Sequence, residues 1–266
     1  MSHPVFHRPI LIYLPCYNCT AVAGEVVRGI PAEFRDNAEV LLIDNHSPDG
    51  TGPALVAAFA ATPPALPCRV IRTRRNLGYA GSQKLAYEIA LASPAVEHVI
   101  MLHGDGQYPP ELTRCFLPQR DAGYDIVYGY RSKLRFGRRE ETPIPTFAMI
   151  RILSILESIV TRAFRKEWHT GFMMYSTRFL RRVPLQLLTE TPHIDGHLLY
   201  AGKVFAARVR GIPIFKRYKD LVAFEGPARA QYVRDVFRLM FRFQAISLSS
   251  CHPEKIHSAA DYEALK

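Results

Sequence analysis

The sequence predicts an α/β protein built on a mostly parallel sheet with helices on both faces. Two observations point there: short β-rich apolar runs alternate with helix-length segments through the first half of the chain, and three of the runs end in polar, turn-rich loops. The first run, Ile10–Leu14, precedes the helix-length stretch Ala21–Ile30. Val40–Ile43 precedes Pro53–Ala61, Arg69–Ile71 precedes Tyr79–Leu91, and Val99–Leu102 and Ile126–Tyr130 continue the series. Uninterrupted apolar runs of this length suit strands buried on both faces. Ligands of such sheets sit beyond the carboxyl ends of the strands. The loops there, "PCYN", "DNHSPDGTG" and "HGDGQYPP", are expected to converge on one rim.

The second half is more helical. From Ile144 to Phe164 apolar residues recur at helical spacing; core packing is the expected use of that face, with a lipid surface as the alternative. From Gln231 to Ile246, Arg234, Arg238 and Arg242 stand at four-residue intervals among Val, Phe, Leu and Met. That stripe suits either an anionic membrane or a basic helix docked on the domain. Cys251 onward reads as a short polar tail. The expected organisation is one domain over residues 1–225, followed by a C-terminal amphipathic basic helix and tail over 226–266.

With 266 residues, 48% of them apolar and 22% charged, the chain has the composition of a folded protein with one substantial core. A net charge of +10 and a pI near 9.5 imply an anionic partner: nucleic acid, a membrane face or phosphorylated small molecules. No basic strand motif with stacking aromatics is present, so nucleic acid is not the expected partner. Arg151, Glu157 and Arg162 interrupt the best stretch for a membrane span, so a soluble or peripheral protein is expected. The amino terminus lacks a signal-peptide layout, and five cysteines, an odd count, suit free thiols in a reducing compartment. The expected location is cytoplasmic.

Several motifs carry chemistry. Cys16 and Cys19 form a C-x-x-C before a helix, which raises a redox reading in weak context; without a second pair, structural zinc is not expected. In "HIDGH", His193 and His197 share one face of any helix. The glutamate of the zinc-protease pattern is missing and a third ligand is not evident, so hydrogen-bonded or capping histidines are expected. "NLGYAGSQK", preceded by Arg72, Arg74 and Arg75, offers glycines and free amides at a helix start, which favours an anion. Asp105 and Gln107 stand two apart, so in extended chain both side chains point one way while Gly106 clears space. One carboxylate and one amide oxygen meet the need of Mg²⁺ or Mn²⁺, which takes few protein ligands and completes its shell with phosphates and water.

Taken in order, "LPCYN", "LLIDNHSPDGT", "RNLGYAGS", "HGDGQYPPE" and "TGFMMYS" resemble a family 2 glycosyltransferase of the GT-A fold, a Rossmann-like nucleotide-diphospho-sugar transferase. Within that family the chain looks like the dolichyl-phosphate or polyprenyl-phosphate mannose synthases, from about Pro9 to Met240. The resemblance implies that Pro15, Tyr17 and Asn18 line a nucleotide pocket, that Asp44 hydrogen-bonds base or ribose, and that Asp49 braces its loop. It implies metal ligation by Asp105 and Gln107. His103 replaces the first acid of the family's acid-x-acid motif, Asn45 stands where many relatives carry Asp, and Cys19 stands where an acid is usual. Arg131 matches a basic residue that approaches the acceptor phosphate, with Arg151 and Ser154 as looser candidates; Arg217 and Lys219 are placed near the diphosphate.

Transfer from a nucleotide sugar builds negative charge on the departing diphosphate, which a cation and arginines stabilise. A hydroxyl acceptor also needs a base, whereas a phosphate is already ionised. Asp105 and Asp195 are the catalytic candidates, and Asp195 is the one acid to nominate as base. The expected activity is an inverting, metal-dependent transfer of a hexose from a GDP or UDP sugar to a polyprenyl-phosphate-type lipid, on the cytoplasmic face of an anionic membrane. A transferase of the same fold that extends a glycan using Asp195 is the alternative, and a non-catalytic nucleotide-sugar or RNA-binding module the remote one.

Overall fold

Every apolar run of the first half folds as a strand, with ends within two residues of those expected. The structure, a computed structural model, describes residues 3–218, 227–242 and 256–265. In chain order, β1 (Ile10–Cys16), α1 (Ala23–Arg28), β2 (Ala38–Asp44), α2 (Thr51–Ala61), β3 (Cys68–Thr73), α3 (Gly78–Leu91) and β4 (His98–Met101) alternate. There follow α4 (Leu117–Asp121), β5 (Ile126–Arg131), α5 (Lys133–Phe136), α6 (Ile144–Thr161), β6 (Met173–Ser176), α7 (Thr177–Leu180), α8 (Ile194–Val204), β7 (Val209–Ile214), α9 (Pro227–Arg242) and β8 (Tyr262–Leu265).

The strands form an eight-stranded sheet in the order β7-β5-β6-β4-β1-β2-β3-β8. β1 pairs in parallel with β2 and with β4, β2 with β3, and β5 with β7, whereas β6 and β8 run antiparallel to their neighbours. Chain order therefore reverses at β1, with β2 on one side and β4 on the other. A crevice opens beyond the carboxyl ends of strands at such a reversal.

Strand alternation divides the core into two. Ile10, Ile12 and Leu14 of β1 enter one cluster with Val40 and Leu42, while Leu11 and Tyr13 enter the other with Leu41 and Ile43. All of these are fully buried, and each contributes about 1.5–3 kcal/mol by leaving water. This rigid floor fixes where the three loops emerge.

Two expectations about the second half need correction. The polar tail does not stay apart: Tyr262–Leu265 pairs with β3, Thr73 opposite Tyr262 and Val70 opposite Leu265, so the last described residues complete the sheet. Apolar Ala264 and Leu265 and the aromatic ring of Tyr262 give this stretch strand character that the preceding polar residues mask. Nor does α6 bury its whole apolar face. Ile150, Leu153, Ser154, Glu157, Ser158 and Thr161 face inward, whereas Ile144, Ile152, Ile155 and Ile159 are exposed. Among the described residues α6 is long and apolar enough to cross a membrane by length and composition, with 33% of it buried. Only Arg151 and Glu157 of the three expected interruptions fall within α6, and both are engaged with the domain; Arg162 lies just beyond it.

Candidate active site

Two cavities meet beyond the carboxyl ends of β1, β2 and β4. The first, about 290 Å³, is lined by Pro15, Tyr17, Asn45, Tyr79, His103 and Asp105 among others. The second, about 250 Å³, is lined by Arg131, His169, His193, Asp195, Lys216 and Tyr232. Tyr79 and His103 border both.

Backbone bonds hold the rim together. Gly104 N donates to Pro15 O at 3.2 Å and Asn45 N to Cys16 O at 2.9 Å, so the three loops are tied side by side. Asn45 then anchors the start of α3: its Nδ2 donates to Asn76 Oδ1 at 3.0 Å, and Leu77 N donates to its Oδ1 at 2.8 Å. Asp49 braces the second loop against the first by accepting from the hydroxyls of Thr20 and Thr51 at 2.7 and 2.6 Å. Half-exposed Tyr17 supplies an aromatic face at the first cavity. Asn18 has φ 51° and donates its N–H to Ser47 Oγ at 3.2 Å; it shapes the loop and is not among the residues lining the cavity.

Asp44 is placed differently from the expectation. Its carboxylate is fully buried, accepts from Ser47 N at 2.9 Å and Gly52 N at 3.1 Å, and lies 3.3 Å from Arg72 Nε. Both oxygens organise the loop, and Asn45 takes the place at the cavity. Arg72 and Arg74, expected beside the α3 amides, are likewise drawn away, Arg72 to Asp44 and Arg74 to Ala260 O at 2.7 Å.

The Asp105 segment is a turn rather than extended chain. β4 stops at Met101, Gly106 has φ 73°, and Gln107 N donates to Asp105 Oδ1 at 2.9 Å. A left-handed glycine reverses the chain, so side-chain alternation fails there. Asp105 lines the first cavity and Gln107 does not. His103 lines the same cavity, with its Nδ1 3.9 Å from Asp105 Oδ2. Burial pushes His103 down to about 4, against the pull of Asp105, so the imidazole is neutral at pH 7. An imidazole nitrogen beside a carboxylate oxygen suits Mn²⁺ better than Mg²⁺, which takes oxygen ligands.

In the second cavity, Arg131 is buried with its Nε 2.9 Å from Glu167 Oε1, and its guanidinium also donates to His169 O at 2.6 Å. Burial works against the guanidinium charge, and Glu167 together with Tyr108, Tyr218 and Glu140 outweighs it. Lys216 lies 5.0 Å from the centre of the Tyr108 ring; burial, then the neighbouring Arg131, lower its ammonium to about 8. Asp195, at the first turn of α8, accepts from Tyr79 at 2.8 Å, Gln83 at 3.2 Å and Tyr175 at 3.3 Å. Burial prevails over these three donors and raises it to about 7. Tyr79 Oη also lies 3.2 Å from His103 Nε2, which links Asp195 to the cation side in one chain of contacts.

Other expected residues stand elsewhere. Arg151 gives its guanidinium to the carbonyls of Arg131 and Lys166, and Ser154 Oγ accepts from Trp168 N at 3.2 Å; both sit behind the cavity as supports. Arg217 pairs with Glu111 at 3.2 Å and donates its N–H to Gln107 O. Lys219 lies outside the described residues. Cys16 and Cys19 are buried free thiols, and Cys19, then burial, push the Cys16 thiol up, away from the thiolate that redox exchange uses. Tyr79, Tyr108, Lys216, His169 and Tyr232 are absent from the expectation. The first two lie inside the quoted motifs and Lys216 directly follows "GIPIF". Only the fold brings Tyr232 to the site.

Solved structures with this architecture include glucosyl-3-phosphoglycerate synthase from Mycobacterium tuberculosis in complex with Mn²⁺, UDP and phosphoglyceric acid, at a TM-score of 0.58 and 13% identity over 97% of this chain and 86% of that one. A mannosyltransferase from Pyrobaculum calidifontis in complex with GDP-Man and Mn²⁺ gives a TM-score of 0.60 and 19% identity, over 91% of this chain and 66% of that one. No curated protein matches the chain. The family model of glycosyl transferase family 2 matches residues 11–188, well over half of the chain and including both β1 and the Asp105 turn. The chain belongs to glycosyl transferase family 2.

Proposed function

We propose that this glycosyltransferase moves a hexose, with inversion, from a GDP or UDP sugar to a polyprenyl-phosphate-type lipid. The observation that carries the reading is the pairing of the two cavities across Tyr79 and His103. One side offers an aromatic face and a cation-suited donor pair; the other offers Arg131 and Lys216 to a phosphate. The Mn²⁺ in both neighbours' complexes supports the cation, and phosphoglyceric acid supports a phosphorylated acceptor class.

His103 and Asp105 would hold the cation, which would supply Lewis-acid stabilisation of the charge on the departing diphosphate. Tyr17 and Pro15 receive the nucleoside, and Tyr79 spaces the two substrates. Arg131 and Lys216 fix the acceptor phosphate, whose oxygen is ionised and needs no base. A membrane surface fits the outer face. Ile144, Ile152, Ile155 and Ile159 form an exposed row on α6, and α9, packed beside it, exposes Phe237 and Phe241 with Arg234, Arg238 and Arg242. Because Glu157 and Ser158 of α6 are buried in the domain, the helix lies on a bilayer rather than through it. The enzyme is then peripheral, on the cytoplasmic face.

Asp195 favours a second reading, extension of a glycan at a hydroxyl. A buried carboxyl near 7 is suited to act as general base at neutral pH. Family membership makes the chain an enzyme, which sets the binding-module alternative aside. The test supplies labelled GDP-mannose or UDP-glucose and Mn²⁺ with polyprenyl phosphate in anionic vesicles, or with a soluble glycan. Label in the lipid extract, lost by at least roughly a hundredfold in Asp105→Asn, is expected. Label confined to the glycan establishes the second reading, and no transfer from either donor overturns both.

A further inference from the structure

Behind the second cavity lies a cluster that the transfer reaction does not use. Glu157 of α6, His169 of the segment before β6, and His193 at the start of α8 bring one ligand atom each within 4.8 Å of one another. Glu157 is fully buried, His193 is 1% exposed and His169 9%. His193 Nε2 lies 3.0 Å from Glu157 Oε1, and His169 Nε2 lies 2.8 Å from Glu157 Oε2.

The proton count at this cluster does not close with two neutral imidazoles. Both Nδ1 atoms face one hydroxyl, Tyr232 Oη, at 2.8 Å from His169 and 3.2 Å from His193. A hydroxyl has one hydrogen, so at least one ring must donate its own Nδ1–H to that oxygen. If neutral, that ring turns a bare Nε2 lone pair toward the carboxylate, a gap that either a second proton on the ring or a metal cation fills. On the His169 side the proton is not in line: Glu157 Oε2 and His169 Nε2 are both buried without a hydrogen bond among the described residues, although they are 2.8 Å apart. Gly196 belongs to the same design, because a Cβ there meets three atoms of the His193 ring within 2.7 Å.

We propose that Glu157, His169 and His193 form a binding site for a Zn²⁺-class ion, distinct from the cation site at Asp105. Two imidazoles and a carboxylate are the ligand set of zinc centres that keep a fourth position open. Bonds of about 2.0–2.2 Å in tetrahedral geometry need ligand atoms roughly 3.3–3.5 Å apart. The two histidine–carboxylate separations, 3.0 and 2.8 Å, are a few tenths of an ångström shorter, and all three ligand atoms lie within 4.8 Å of one another. Tyr232, on both Nδ1 atoms, and Tyr200, on Glu157 Oε1, supply the outer hydrogen bonds that orient such ligands. Two of the three residues, His169 and His193, line the second cavity. The ion joins α6, the strand-leading segment and α8, and through Tyr232 fixes α9. His193, expected to be a merely hydrogen-bonded histidine, gains the third ligand the sequence did not reveal.

The test uses the full chain stripped with chelator, in an Asp105→Asn background that removes the other cation site, and adds Co²⁺ or Zn²⁺ alone. One Zn²⁺ per chain retained on dialysis, the intense visible bands of tetrahedral Co²⁺, and a Zn²⁺-dependent rise in unfolding temperature are expected. His169→Ala and His193→Ala, checked for folding by circular dichroism, lose the bands. Tyr232→Phe, which keeps the ring, weakens Zn²⁺ binding by roughly 10–100-fold and decides the matter if the alanine variants do not fold. Absence of bound Zn²⁺ in the Asp105→Asn chain, or Co²⁺ bands that survive in folded histidine variants or at full affinity in Tyr232→Phe, overturns the proposal.

Discussion

Replacing Lys216 with methionine is expected to move stability and acceptor binding in opposite directions. The ammonium falls from 10.5 to about 8 because burial and Arg131 disfavour its charge. A displacement of that size corresponds to roughly 3 kcal/mol. Lys216 keeps part of its surface open to the cavity, and solvent screens it there, so about 1–2 kcal/mol is the expected gain of Lys216→Met at pH 7. That is about 2–8 °C in unfolding temperature for a chain of this size. Since the folded state holds this proton less tightly than the unfolded chain, the penalty applies below about pH 8 and fades as pH climbs through 8 toward 10.5. The same substitution removes a charged hydrogen-bond donor from the acceptor phosphate, worth about 1.5–3 kcal/mol, or roughly 10–150-fold in acceptor KM. In the wild type the protonated fraction drops roughly tenfold between pH 7 and 9, and acceptor KM rises with it. Thermal unfolding without ligand at pH 7 and 10, alongside initial rates against polyprenyl phosphate, reads both effects. A lower unfolding temperature in Lys216→Met at pH 7, together with an unaltered acceptor KM, refutes the placement of this cation in the acceptor cavity.

Glu167→Gln leaves the buried Arg131 guanidinium without its counter-charge, and a loss of about 3–5 kcal/mol is expected in urea unfolding. With a hydroxyl acceptor, turnover is expected to rise with pH through about 7 as Asp195 ionises, and Asp195→Asn to abolish that rise; with a phosphate acceptor no such step is expected, and pH–rate profiles separate the two. The pair Ile155→Glu and Ile159→Glu places charges in the exposed row of α6 and is expected to weaken sedimentation with anionic vesicles at least tenfold, while turnover of a soluble phosphorylated acceptor is preserved.

The strands were legible because buried parallel strands need unbroken apolar runs, and nothing else in the first half resembles them. Asp105 was legible as the acid at the end of such a run. The aim of Gln107 was not legible, because the alternation that points two side chains alike holds only in extended chain, and Gly106 turns it. Asp44 shows a different limit: an acid after a strand serves a loop or a ligand according to where Ser47 and Gly52 bring their amides. The second cavity gathers Tyr79, Arg131, His169, Asp195, Lys216 and Tyr232 from distant parts of the chain. No local pattern spans such separations, so this half of the site emerged only from the fold.

The pairing of Tyr262–Leu265 with β3 carries a consequence for biosynthesis. Until those residues emerge from the ribosome, the outer margin of β3 presents unpaired amides and carbonyls, a template for other nascent chains. A chain stopped before Tyr262 retains every residue of both cavities and still leaves that margin bare. Its failing would be precipitation rather than impaired chemistry.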